Sequence, residues 1–180
     1  MTDALIVIDM QQGSFGPTTP RHDAMALVER LNLLARTVRA DGGVVIFIQH
    51  DGPPGDPHHP EAAGWHLVPG LDARPDDAIV RKTACDAFLG TALDALLRES
   101  GIDRLIITGC ATDYCVDTTV RSALARSWPT IVPSDGHTTA DRPHLSAAQI
   151  IAHHNAIWAD FLAPGGPAIV RPCADLRLST

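Results

Sequence analysis

Lysine is all but missing from this 180-residue chain. The Lys+Arg total is 14 and Lys82 is the only lysine, so thirteen positions use arginine. The arginines are scattered rather than clustered, and the formal net charge is −7. A basic face for nucleic acid or for an anionic membrane is therefore not expected. No run approaches the ~18 consecutive apolar residues of a transmembrane helix. The start, Met1-Thr2-Asp3-Ala4, lacks a basic n-region and carries an acid, so no secretory leader is expected there. Cysteine is sparse, and Cys85, Cys110, Cys115 and Cys173 include no Cys-x-x-Cys pair, which argues against a thiolate metal knuckle. A core-rich chain of this size does not need disulfides, and reduced thiols in a cytoplasm are the expectation. With no internal repeat, low-complexity segment or composition break, residues 1–180 read as one domain.

What is present is an alternation of two periodicities. Ala4-Leu5-Ile6-Val7-Ile8 is a continuous apolar run, the pattern of a strand buried on both faces. Further strands are expected at 44–48, 78–80, 104–108, 129–133 and 168–170. Helices are expected at about 21–41, 90–100, 114–127 and 146–161, the first ended by the glycines of Asp41-Gly42-Gly43. Repeated strand–helix units predict an α/β fold: a three-layer doubly wound sandwich with a mostly parallel, about six-stranded sheet. Residues 51–76, rich in Pro, Gly and His, form a loop long enough to imply a function.

In such folds ligands bind at the carboxyl ends of the strands. Asp9 follows the first strand, Lys82 the short third one and Cys115 the fourth, so three different groups should converge at one edge. A lone lysine among arginines has a bland reading, a chance residue at a surface strand end. The functional reading rests on chemistry: a desolvated ammonium shifts its pKa and acts as a compact charge, which guanidinium does not. Cys115 would sit in the first turn of a helix, where the dipole and free N–H groups should lower a thiol's pKa. Asp9 can take the thiol proton, and Lys82 can hold carboxylate and sulfur together. The plain alternatives are a buried structural thiol for Cys115 and a strand-end cap for Asp9. Cys85, Cys110 and Cys173 fit a structural role better.

Ile8-Asp9-Met10-Gln11, Arg81-Lys82 with Phe88, and Thr108-Gly109-Cys110-Ala111-Thr112-Asp113-Tyr114-Cys115-Val116 resemble, in order and spacing, the three signatures of the isochorismatase-like cysteine hydrolases. The resemblance runs from about residue 4 to residue 162. It implies an Asp9–Lys82–Cys115 triad, a non-proline cis peptide at Cys110-Ala111, and an oxyanion hole from the Ala111 and Cys115 N–H groups. The implied reaction is attack of Cys115 on a small amide, with a thioester intermediate and no cofactor. It also implies a homo-oligomer, dimer or tetramer. Cysteine at this position favours amide hydrolysis over the vinyl-ether cleavage of isochorismatases. Ether cleavage and a non-catalytic binding role remain the alternatives.

Relatives that are nicotinamidases carry an Asp-x-His metal pair after the second strand. Here that stretch reads Gln49-His50-Asp51, with His58, His59 and His66 downstream, so no metal is expected. Phe15, His50, Trp65 and Tyr114 are the expected substrate-binding residues, because aromatic and polar side chains on cleft loops wall small-molecule pockets. Asp135 has no assignable role. His153 and His154 are adjacent on a helix, about 100° apart, and read as packing or subunit contacts rather than metal ligands.

Overall fold

The computed structural model describes residues 1–176. In chain order the elements are β1 (Asp3–Ile8), α1 (Ala24–Ala40), β2 (Val44–His50), β3 (Ala78–Lys82), α2 (Leu93–Glu99), β4 (Arg104–Cys110), α3 (Asp117–Ala125), β5 (Thr130–Pro133), β6 (His137–Thr138), α4 (Ala147–Ala159) and β7 (Ile169–Arg171). The strands form one parallel sheet in the order β3-β2-β1-β4-β5-β7, with β6 paired to the end of β4. The six expected strands are all there. The seventh, β6, is two residues long and too short to leave a periodic signal.

The apolar strands serve two cores at once. In β1, Ala4, Ile6 and Ile8 enter one cluster, with α2, α3 and Trp158 of α4. Leu5 and Val7 point the other way, into a cluster with α1. Alternation across the pleat therefore feeds both faces from one unbroken hydrophobic run. The face of α1 that meets the sheet carries Leu27, Leu31, Leu34, Ala35 and Val38, a helical stripe. Helix α4 begins in a capping box: Ser146 Oγ accepts from the Gln149 N–H, and Gln149 Oε1 accepts from the Ser146 N–H at 3.0 Å.

Strand order reverses at β1, which has β2 on one side and β4 on the other. The register sets Ile8 beside Gly109, so Asp9 and Cys110 leave the sheet next to each other. Gly109 makes this approach possible. Its φ is +114°, and a Cβ there would collide with the Ile8 carbonyl oxygen. Gly109→Ala is expected to destabilise the fold by more than about 4 kcal/mol, read as a drop in the urea midpoint at unchanged slope. A loss below about 1 kcal/mol would mean that the two strand ends can separate at little cost.

Candidate active site

Lys82 enters the interior because of strand periodicity. In β3 the side chains of Val80 and Lys82 are buried, whereas Ile79 and Arg81 face out. Arg81 ends on Asp51 at 2.7 Å. The Lys82 side chain is fully buried and runs under the ends of the strands to Asp9. Its Nζ donates to Asp9 Oδ2 at 2.7 Å and to Cys115 Sγ at 3.3 Å. One ammonium thus joins residues separated in sequence by 73 and 33 positions. Asp9 adopts φ 46°, in the left-handed region, as the chain leaves β1, and its N–H is held by the Ile48 carbonyl. Its second oxygen, Oδ1, is buried and has no protein partner among the described residues.

Cys115 lies in a single π-helical turn, Thr112–Val116, that leads from β4 into α3. The Cys110–Ala111 peptide bond is cis. Among the described residues, the Ala111 N–H donates to no protein acceptor. Burial raises the pKa of the Cys115 thiol, and the neighbouring Asp9 carboxylate raises it further. Lys82 opposes both without cancelling them. The expectation that a helix terminus lowers this pKa is therefore reversed, because desolvation of a thiolate outweighs the dipole here. Burial also works against the Lys82 ammonium, but Asp9 and Cys115 overcome it and hold the lysine charged. The resting site is an ammonium–carboxylate pair beside a thiol.

A cleft of about 370 Å³ opens over this group, lined by Asp9, His50, Ala111, Tyr114 and Cys115 together with Arg21 and others. Of the four residues expected to bind substrate, His50 and Tyr114 line it. Phe15 does not: it lines a neighbouring groove with Met25, Val28 and Val68, because its side chain packs against the α1 core. Trp65 does not line the cleft either. Its Nε1 donates to Asp51 Oδ1 at 2.8 Å, and Arg81 stacks on its ring. Burial and the nearby Lys82 charge keep the His50 ring pKa below its usual value. Asp135 faces a different cavity and accepts from the Cys173 N–H at 2.7 Å. His154 Nδ1 donates to the Ile150 carbonyl within its own helix.

Both Asp51 carboxylate oxygens are taken by Trp65 and Arg81, and Gln49 donates to the Trp65 carbonyl. Among the described residues, no group of three His, Cys, Asp or Glu side chains gathers closely enough to hold an ion.

Several supporting residues left little trace in the sequence. Gln11 is fully buried; its amide donates to the His50 and Trp65 carbonyls and accepts from the His50 N–H, tying loop 51–66 to the strand ends. Arg142 holds Asp113 through two hydrogen bonds and stacks over Tyr114. His137 is buried behind the π turn. Asn155 Nδ2 donates to the Ser134 carbonyl, so its Oδ1 is the atom that accepts from His137 Nε2 at 3.0 Å. In the neutral ring that burial favours, His137 Nδ1 then accepts from the Thr112 hydroxyl at 2.9 Å.

Burial lowers the His137 pKa from 6.5 to about 4. Unfolded chain gains a proton near pH 6.5 that the folded protein refuses until about pH 4, so stability is complete above 6.5 and is lost as pH falls between them. The expected loss is about 3 kcal/mol, to which His50 adds with the same sign. The lowered carboxylates of Asp51 and Asp113 act only at lower pH, below their ordinary 3.8. Urea midpoints between pH 7 and pH 4 should show this slope, and His137→Gln should flatten it. An equal slope in the variant would remove His137 as the cause.

The isochorismatase domain model matches residues 3–158. A streptothricin hydrolase of Streptomyces noursei is 34% identical over 140 residues, covering 78% of this chain and 56% of that protein. The ureidoacrylate amidohydrolase RutB of Variovorax paradoxus is 31% identical over 156 residues, covering 67% of this chain and 62% of that protein. The chain thus spans little more than half the length of these relatives. A solved structure of an isochorismatase family protein superposes with a TM-score of 0.86 at 34% identity, covering 93% of this chain and 96% of the other. An isochorismatase from Pseudomonas putida KT2440 gives 0.89 at 27% identity, with coverages of 97% and 90%. No helix among the described residues is long and apolar enough to cross a membrane. By sequence model, by relatives and by fold, the chain belongs to the isochorismatase-like cysteine hydrolase superfamily.

Proposed function

We propose that this chain is a single-domain amidohydrolase that cleaves the C–N bond of a small amide through a thioester on Cys115. The observation that carries this reading is the Lys82 ammonium, hydrogen-bonded to both Asp9 and Cys115 at the floor of an open cleft. The streptothricin hydrolase and ureidoacrylate amidohydrolase among its relatives support amide-type bonds as the target.

The resting thiol sets the order of events. Sγ attacks the amide carbonyl carbon while its proton passes to Asp9, whose Oδ1 has no other claim on it. The carbonyl oxygen gains charge and is met by the Ala111 and Cys115 N–H groups. Asp9 then returns the proton to the nitrogen, the C–N bond breaks, and ammonia or an amine leaves. Water adds to the thioester with its proton going to Asp9. The C–S bond breaks, the acid departs, and Asp9 reprotonates the sulfur. Lys82 stays charged throughout and stabilises whichever of carboxylate or thiolate is negative. Release of ammonia or amine from a panel of small amides tests the reading. Pyruvate release from a chorismate-type ether with no amide turnover would overturn it.

A further inference from the structure

The cleft over Cys115 carries one positive charge more than its carboxylates match. Lys82 is paired with Asp9, and Arg142 with Asp113. Arg21 also lines the cleft, and no carboxylate lies within ion-pair distance of it among the described residues. Its side chain makes one hydrogen bond there, from Nε to the Ser14 carbonyl at 2.6 Å. Among the described residues, both terminal nitrogens are left without a protein acceptor. On an open surface that would mean little, but this arginine is half-buried in the cleft of a chain with net charge −7.

Arg21 is also held in place. Ser14, its anchor, has its hydroxyl on His58 Nε2 at 2.9 Å, and His58 Nδ1 lies 3.0 Å from Asp56 Oδ1. A neutral His58 protonated at Nδ1 donates to Asp56 and accepts from Ser14, so the relay is complete without an added charge. The long 51–76 loop thereby braces the arginine from behind. The Arg21 charge is felt inside the site. Burial pushes the Cys110 thiol up to about 12, and Arg21 is the first charge that opposes it. A guanidinium with free terminal N–H groups matches a planar two-oxygen anion and is a poor partner for a neutral group.

We infer that Arg21 recognises a carboxylate on the substrate, so that the cleft takes an amide whose other end is a carboxylic acid. This rests on the amidase reading for the bond that is cleaved, and adds the chemical class of the molecule that carries it.

The test uses two alkylating probes of one shape, N-iodoacetylglycine and its neutral primary amide, and so needs no turnover. Alkylation of Cys115 is followed at the peptide level by mass spectrometry, because Cys85 also lines the cleft. In the native chain the acid-to-amide rate ratio at Cys115 should exceed that of N-acetylcysteinamide by about tenfold or more. Arg21→Gln should bring the ratio down to that of the free thiol, and Arg21→Lys should leave it between the two. Arg36→Gln, the same charge change at an exposed position on α1, should leave the ratio as it was. A native ratio no higher than the free thiol's overturns the inference, as does a ratio within twofold of native in Arg21→Gln. Those results would leave the amidase reading intact. Loss of that reading shows separately, as amide hydrolysis that survives Cys115→Ala.

Discussion

Cys115→Ala is expected to reduce amide hydrolysis by at least about 10⁴-fold while leaving the fold intact. Removing a nucleophile removes the covalent route, and what remains is whatever the oxyanion donors and the binding surface supply alone. The thiol is only partly buried, so its loss leaves a small space rather than a cavity in the main core. The urea midpoint should therefore move little, by less than about 1 kcal/mol in stability. A serine at this position should do scarcely better. Its hydroxyl is far less acidic, and the environment already pushes the thiol the wrong way. Steady-state ammonia release by purified variants checks both outcomes.

Lys82→Met is expected to cost more in stability and nearly as much in rate. The Lys82 side chain is fully buried and the Asp9 side chain is 8% exposed, so deleting the ammonium strands a carboxylate in the interior. Breaking such a pair costs about 3–5 kcal/mol. Asp9 would then take up a proton and could no longer act as a base, so activity should fall by at least about 10³-fold. Lys82→Arg separates charge from shape. It keeps a cation but adds bulk where the side chain has no room, which should cost about 1–3 kcal/mol. A planar fork cannot place one nitrogen on both Asp9 and Cys115 as Nζ does, so activity should fall by about 10²-fold or more. Wild-type activity in Lys82→Arg would mean that any positive charge serves, and that the chain's single lysine has no special role.

The parts of this site that were legible in the sequence are those governed by strand geometry. A buried parallel strand announces itself by its apolar run, and its carboxyl end is where the next polar residue must emerge. Asp9, Lys82 and Cys115 each stand at such an end, so one sheet edge could be assembled before any distance was known. The structure shows why Lys82 rather than Arg81 reaches the site: the expected strand, 78–80, extends through Lys82, and only one of two neighbours in a strand can face inward.

Loop side chains carry no such periodicity. Phe15 and Trp65 lie beside the cleft in sequence, yet one turns into the α1 core and the other toward Asp51 and Arg81. Arg21 is the only arginine between Asp9 and Arg30, but nothing in that spacing says which way it points. The direction of the Cys115 pKa was misjudged because a helix terminus can be read from sequence and depth of burial cannot. The His137 network behind the π turn depends on contacts across 25 and 18 residues, and strand β6 on its pairing with the distant β4, beyond any local pattern.

Trapping the covalent intermediate tests the central claim most directly. The protein would be mixed with an amide substrate, quenched in acid within milliseconds and digested for mass spectrometry. The account predicts an acyl group on the Cys115 peptide, removed by hydroxylamine and absent from Cys115→Ala. Turnover with no adduct on Cys115, or with the acyl group on any other residue, would contradict it.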